Sequence, residues 1–425
     1  VTGRTPPRRG VRGLLVDVSP LRLDREYRLL WSGQAISAVG NHMTRLALPY
    51  QVYVLTGSTL AIGALALVQL IPIVVVVLAA GAIADAFDRR RVLIATNVGM
   101  VLSSAFLLVL ALQSAPALPM IYLAAFLLQS FSSIDQPTRL SAIPRLVPRS
   151  RLQAALALNT LFSQGASVAG PALAGVLLAT VGPAGVYAAD VASFIPAFAA
   201  VVALRPIPPL AGAIRPGIAA VREGFAVAAR RRVILSTFVI DLDAMIFGMP
   251  TALFPVLALD VFKVGPAGVG FLGAAPAVGA LVAATFSGWM GRIREMGRAT
   301  YVVVAIWGVA ITLFGLATFS FPLALLFLAV AGAADILSTV FRNTIVQHEA
   351  PDEVRGRISS MHVMVVRMGP RLGDMEAAAV ASAIGAQGAV VSGGILCLLG
   401  LGLVARAFPE LARYAHGGPE AARTS

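Results

Sequence analysis

Charged side chains inside long apolar runs are the groups of this sequence that could do chemistry. Arg45, Asp135 with Arg139, Asp190, Asp241, Asp243, Asp335, Arg367, Arg371, Asp374 and Glu376 all interrupt stretches rich in Ala, Val, Leu, Ile and Gly. An ionisable group in a hydrocarbon layer is costly, so such residues are candidates for ion pathways and proton relays. A carboxylate in a partly dry cavity holds a proton that an approaching cation displaces, which is how a proton is exchanged for a substrate. Asp135 and Arg139, four apart, share a helix face, and so do Asp335 and Arg342, seven apart. Asp335 or Asp135 is the expected proton carrier, with Asp241 and Asp243 as further candidates. Arg45 is expected to set that acid's protonation or to contact an anionic substrate. A static ion pair between helices competes with each of these readings. Tyr50, Phe131, Phe247 and Phe341 could stack on a flat substrate or a cation, although packing is the commoner role for such rings.

Holding these residues requires membrane-spanning helices. Of 425 residues, 58% are hydrophobic and 12% charged, and the mean hydropathy is +0.85, outside the range of soluble domains. A span takes about 20 apolar residues, and the sequence accommodates twelve spans. They are Tyr27–Leu55, Leu60–Ala86, Val92–Gln113, Met120–Leu146, Leu152–Val181, Ala184–Leu204, Val233–Phe262, Gly268–Met290, Ala299–Phe319, Pro322–Phe341, Ile358–Ile384 and Ala389–Ala407. The expected architecture is all-α, with pseudo-symmetric six-helix bundles at 27–204 and 233–408 flanked by basic tails at 1–26 and 409–425. A Pro-rich linker, Arg205–Arg232, separates the halves and is expected to carry a short amphipathic helix at the interface. Gly170-Pro171 in the fifth span recurs as Gly369-Pro370 in the eleventh, and Pro72 recurs as Pro276, the pattern of a repeat.

The net charge of +13 suggests nucleic acid only until its distribution is examined. Arg45, Arg367 and Arg371 lie inside spans, and Lys263 alone lies in an odd-numbered connection. All other basic residues sit in the tails and even-numbered connections or, as Arg28, Arg139, Arg145 and Arg406 do, in the span ends that adjoin them. That is the positive-inside pattern, which places both termini in the cytoplasm and leaves no need for nucleic acid; the basic face can also attract anionic lipid. Lys263 is the single lysine and has no glycine-rich loop before it, so a phosphate-binding P-loop is excluded. The lone Cys397 has no internal disulfide partner, and His42, His348, His362 and His416 lack metal-ligand spacing. Neither a metal nor a cofactor is expected, and the chain reads as no enzyme. Residues 1–26 read as a flexible basic tail rather than a signal peptide.

Pro72 to Arg91, PIVVVVLAAGAIADAFDRRR, ends an apolar run in Gly81, Asp85, Asp88, Arg89, Arg90 and Arg91. Gly81 permits close helix approach, and Asp85 suits the amides at another helix's N-terminus. This pattern resembles the loop between spans 2 and 3 of major facilitator superfamily transporters. The resemblance implies a conformational latch from Asp85 to the start of span 11, near Val354 to Arg357, and to Arg139 or Arg145. The corresponding turn of the second half has Gly288 followed by Arg292, without the acid. GASVAGPALAG in span 5, with Gly170, Pro171 and Gly175, resembles the antiporter motif of drug exporters, with Ala166 and Ala174 where that pattern has Gly. Pro171 removes a backbone hydrogen bond and makes the helix kinkable.

Further segments, TRLALPYQVYVLTGS, IPRLVPRSRLQAALALN, FGMPTALFP, AGAADILSTVFRNTIVQ, PDEVRGRISS and MGPRLGDMEAAAVAS, are similar to the branch containing bacterial enterobactin exporters and macrolide efflux proteins. In this superfamily spans 1, 4, 7 and 10 line the central cavity, which implies that Arg45, Asp135, Asp241 or Asp243, and Asp335 share one aqueous pathway. Asp190, on an outer span, is then expected to be structural. Arg139, Arg342, Arg367 and Arg371 join Arg45 as candidate cavity residues, a set that suits anionic aromatic siderophores. Where the branch often has an acid before the Thr-Arg pair of span 1, this chain has Asn41 and His42. The implied function is a monomeric, proton-driven exporter of a siderophore or similar amphipathic compound in the bacterial inner membrane, its partners being the small molecule, protons and the bilayer. A macrolide or multidrug exporter, a non-transporting sensor and an uptake symporter are the alternatives.

Overall fold

The local rules that start and stop helices account for most element boundaries. Gly57, left-handed at φ 61°, ends the first long helix, and the Ser58 hydroxyl opens the next by accepting from the Ala61 amide at 3.4 Å. Asp88 caps the following helix, accepting from the amides of Arg90 (2.8 Å) and Arg91 (3.3 Å). The computed structural model describes residues 17–208, 226, 230–286, 290, 293–350 and 355–414, with the backbone alone described at 76–86, 355–357, 359–360 and 363. After a short turn of helix, α1 (Ser19–Leu23), come α2 (Arg25–Thr56), α3 (Thr59–Ala86), α4 (Arg89–Ala111), α5 (Leu118–Leu146), α6 (Leu152–Thr180) and α7 (Gly182–Val202). The remainder is α8 (Arg232–Phe247), α9 (Gly265–Thr285), α10 (Met296–Leu316), α11 (Phe321–Glu349) and α12 (Arg355–Ala407). No strand occurs among the described residues.

Nine helices among the described residues are long and apolar enough to cross a membrane. The last of these has an apolar part of 44 residues, Met364–Ala407, about 66 Å at 1.5 Å per residue and enough for two crossings. Gly385, at φ 81°, breaks it, between the two separate spans expected there. The seventh span departs further from expectation. Instead of one helix over Val233–Phe262, α8 stops at Gly248 and the chain continues through a 3-10 turn (Thr251–Leu253), a turn of α-helix (Phe254–Val256) and a π turn (Leu257–Val261). Pro250 and Pro255 bring no amide to a helical ladder. The Asp374 carboxylate on α12 stabilises the break, accepting from the Thr251 hydroxyl at 2.6 Å and the Ala252 amide at 3.0 Å. The tenth span is longer than expected, reaching Glu349 and so carrying Arg342 within the helix. Most of the linker expected to hold an amphipathic helix lies outside the described residues.

Packing follows a repeated plan. In the first half α2 lies against α6 and α7, α4 against α5 and α7, and α3 against α5; in the second, α8 lies against α12, α9 against α11, and α10 against α11 and α12. The two Gly-Pro pairs do equivalent work: a side chain at Gly170 would strike His42 on α2, and one at Gly369 would strike Met245 on α8. Two extensive joints link the halves, α6 with α9 and α3 with α12. At the first, Gly175 and Gly270 bring backbone to backbone, a Cβ on Gly175 falling 2.7 Å from the Gly270 Cα. At the second, Gly63 lies under Ala378.

These joints sit at the end away from the arginine-rich connections. One hydrophobic core there runs through both halves, from Ile62, Leu65, Ala174 and Leu178 to Val269, Leu272 and Ala377. At the arginine-rich end the core divides. One cluster (Tyr27, Leu30, Leu93, Ile143, Leu158, Val201) belongs to the first half and another (Ile234, Phe238, Val346, Ile358, Met361) to the second. Between the halves, deeper than these two clusters, lies a narrow polar cleft.

Gly175→Leu should wedge the α6–α9 joint apart, because overpacked contacts cost about 1–3 kcal/mol. Cysteines at 63 and 378, in a Cys397→Ser background, should cross-link readily on oxidation, and Gly175→Leu should lower the yield.

Candidate functional site

Arg45 and Arg371, from α2 and α12, face each other across the cleft between the halves. Its wall is polar for a membrane interior, with Asn41, Thr44, Gln69, Gln129 and Ser132 joining the two arginines around a narrow cavity of about 20 Å³. No acid is among its lining residues. Arg367 lies one turn before Arg371 and donates to the Gln136 side chain of α5 at 2.9 Å, bridging the halves. Both Arg367 and Arg371 are near enough to repel Arg45. Arg371 has a carboxylate partner in Asp374 at 3.3 Å, whereas Arg45 is exposed to the cleft with neither an ion pair nor a hydrogen bond among the described residues. Such a surface attracts an anion.

Asp135, on α5, is fully engaged. Its Oδ2 pairs with Arg139 Nε at 2.5 Å, and its Oδ1 accepts from the Thr96 hydroxyl (2.9 Å) and the Asn97 amide (3.3 Å) of α4. Asp135 and Arg139 are 8% and 3% exposed, so the pair is closed to the cleft. Sequence spacing correctly put the two on one face, but gave no sign of the α4 hydroxyl and amide that complete the cluster. Arg139 pairs with Asp135 through Nε, and its Nη1 has no partner among the described residues. Arg145 is exposed.

A second buried cluster holds more acid than base. Arg342 on α11 pairs with Asp241 of α8 at 2.7 Å, the two being 2% and 1% exposed, and donates to the Thr339 hydroxyl at 3.3 Å. Asp335 lies within electrostatic reach of both Arg342 and Asp241, and its Oδ1 has no hydrogen-bond partner. From α12, His362 faces the same pair and stacks obliquely on Phe238 at 5.9 Å. Two carboxylates thus compete for one guanidinium, and the cluster is electrically balanced when one acid holds a proton. Asp335 and Arg342 lie on one helix, within electrostatic reach of each other, while the ion pair runs across helices from Arg342 to Asp241. His362 entered the sequence reading only as a residue without metal spacing; its contact depends on the approach of α12 to α8, which no local pattern reveals.

Other expectations divide. Asp243 does not face the cleft: it sits against Gly400 and Cys397 of α12, because two residues along a helix turn the side chain by about 200°. Phe131 lies in the gap above Gly99, where its ring takes the place of a side chain on α4. Tyr50 is buried in the core, with Phe341, and Phe247 packs at its margin. Arg89 donates to the Ser141 hydroxyl and the Pro208 carbonyl, both at 3.2 Å, and Arg90 to the Val202 carbonyl at 2.6 Å, tying the start of α4 to α5 and the end of α7. The side chains of Gly81 and Asp85, and the partner segment near Val354 to Arg357, lie outside the described residues. At the closed end the Tyr53 hydroxyl donates to Asp260 across the halves, a contact absent from the sequence reading.

The family model for transmembrane secretion effectors, a group of major facilitator transporters, matches residues 16–414. The enterobactin exporter EntS of Citrobacter koseri is 28% identical over 416 residues, covering 95% of this chain and 97% of that protein. Among solved structures, a bacterial homologue of the human lysosomal transporter Spinster, inward-facing and unoccupied, superposes with a TM-score of 0.71 at 13% identity, covering 92% of this chain and 98% of the other. The nucleoside transporter NupG superposes with a TM-score of 0.70 at 14% identity, covering 92% and 99%.

Removing one partner of a buried ion pair leaves an uncompensated charge, at a cost of about 3–5 kcal/mol. Arg342→Leu should therefore lower the thermal midpoint of the purified protein well below that of Arg342→Leu combined with Asp241→Asn. Equal midpoints would show that the pair carries no such cost.

Proposed function

Because the chain belongs to the transmembrane secretion effector family of the major facilitator superfamily, we propose that it exports an anionic amphipathic small molecule, of the siderophore kind, in exchange for protons. It is a multi-pass membrane transporter, not an enzyme. In this reading twelve spans form two six-helix bundles, 27–204 and 233–408, with the linker and both termini in the cytoplasm of a bacterial cell, and a single chain is the working unit. The excess of arginine at one end supports that orientation. The cleft is then loaded from the cytoplasm when the halves part at that end.

The observation that carries the substrate reading is the meeting of Arg45 and Arg371 on a polar wall without an acid among its lining residues, with Arg367 within electrostatic reach and Arg45 lacking any described partner. A catecholate siderophore presents negative charge and flat rings, and the cleft, narrow as it stands, widens to take one as the halves part. That relatives of 27–28% identity are named enterobactin exporters supports the same class. Cationic drugs find no carboxylate among the lining residues. The charge imbalance at Asp241, Asp335 and Arg342 supports proton coupling: Asp335 takes up a proton when Arg342 is held by Asp241, and its gain and loss bias the packing of α11 against α8 and α12. The closed end, sealed by Gly175 on Gly270 and Tyr53 on Asp260, opens as the halves rock.

In acid-loaded inverted membrane vesicles, enterobactin should discharge the pH gradient, read by a pH-sensitive dye, and macrolides and cationic dyes should not. Asp335→Asn should abolish the discharge while leaving exchange of labelled enterobactin intact. Discharge by Asp335→Asn at the wild-type rate would remove Asp335 from the coupling step.

A further inference from the structure

The first half contains a buried acid that no cation balances. Asp190, on α7, is 0% exposed. Its Oδ2 lies 2.7 Å from the hydroxyls of both Thr44 on α2 and Ser104 on α4, and its Oδ1 has no partner. Gly40 makes room for it, since a Cβ there would strike both Asp190 and Ser193. The helices packed around it bring little charge. From α2, His42 packs against Gly170 and Arg45 faces the cleft. On α7 the Tyr187 hydroxyl is donated to Gln51 at 2.7 Å; α4 offers the Ser104 hydroxyl, and α6 the small residues around Gly170. By contrast Asp135, Asp241 and Asp374 each have an arginine partner.

An isolated carboxylate in such a place is accommodated in its neutral form, since burying the anion without a counter-charge is prohibitive. Thr44 joins this acid to the cleft: it lines the cleft wall, bonds Asp190, and immediately precedes Arg45. We propose that Asp190 is a protonation site controlling how strongly the arginine cleft holds an anion, with Thr44 as the proton's route. In the neutral acid the Thr44 hydroxyl turns to accept from Oδ2–H; on release the Oδ2–H bond breaks, the Thr44 oxygen takes that proton and passes its own to water in the cleft, which leaves Thr44 donating to the carboxylate, the direction seen in the structure. The carboxylate left behind offsets the positive field of Arg45, Arg367 and Arg371. Reprotonation by the reverse path restores it. This rests on the anionic-substrate reading given above.

Two readouts on the purified full-length protein in lipid separate the two ideas. Infrared spectroscopy should show a protonated-carboxyl stretch that disappears in Asp190→Asn and persists in Thr44→Val with slowed hydrogen–deuterium exchange. Enterobactin binding should weaken as pH rises in the wild type and lose that dependence in Asp190→Asn, which mimics the neutral acid. A carboxyl band unchanged in Asp190→Asn and unslowed exchange in Thr44→Val, or a wild-type pH dependence in Asp190→Asn, would overturn the role of Asp190. Should Asp190→Asn fail to fold, the exchange rate in Thr44→Val decides. Absence of enterobactin binding at any pH would instead count against the substrate reading, and the infrared band would still decide whether Asp190 holds a proton.

Discussion

A charge placed deep in a protein of this kind must meet either an opposite charge or water, because in a low-dielectric interior an unpaired ion costs several kcal/mol or more. That single constraint orders the interior. Asp135 is closed off by Arg139 and two polar groups of α4, Asp241 by Arg342, and Asp374 by Arg371 together with the turn it stabilises. Arg45 has none of these and is instead exposed to the cleft. It follows that the cleft is wetted, and that an anion entering it replaces water at a guanidinium not already committed to the protein.

Alternating access needs one end that can close tightly and another that can part. Small residues supply the first property: Gly175 and Gly270 let two backbones touch, and a shared apolar core seals the region around them. At the arginine-rich end each half keeps its own core, so separating the halves there exposes polar cleft wall rather than torn packing. The broken seventh span belongs to the same arrangement. Its turns, held by Asp374 and by the Trp307 indole donating to the Gly248 carbonyl at 2.9 Å, connect the cleft-lining helix α12 to the closed end.

Hydropathy and charge asymmetry made the helical class legible, since a bilayer admits few alternatives for twenty apolar residues in a row. The membrane acids were equally visible, because a charge in such a run stands out. Their partners were not. Spacing along one helix located Asp135 with Arg139, but the choice of Asp241 over Asp335 by Arg342 depends on how α8 faces α11, and the contact of His362 on how α12 faces both. The same limit explains Asp243, which the sequence could not distinguish from Asp241 without knowing which side of α8 meets α12. Polar lining residues such as Gln69 and Gln129 carried no signal at all, since an amide in an apolar run reads equally well as a link between helices. The break at Gly248 and Pro250 was written in the sequence, where Gly248, Pro250 and Pro255 fall close together in FGMPTALFP, but its hydropathy is that of an unbroken span.

The central claim is that the cleft selects negative charge. Equilibrium binding of enterobactin, and of a cationic dye of comparable size, to the purified protein tests this most directly, with Arg45→Ala measured alongside. Preferential binding of the anion, weakened by added salt and by loss of Arg45, is the predicted result. Equal or tighter binding of the cation, unaffected by Arg45→Ala, would contradict it.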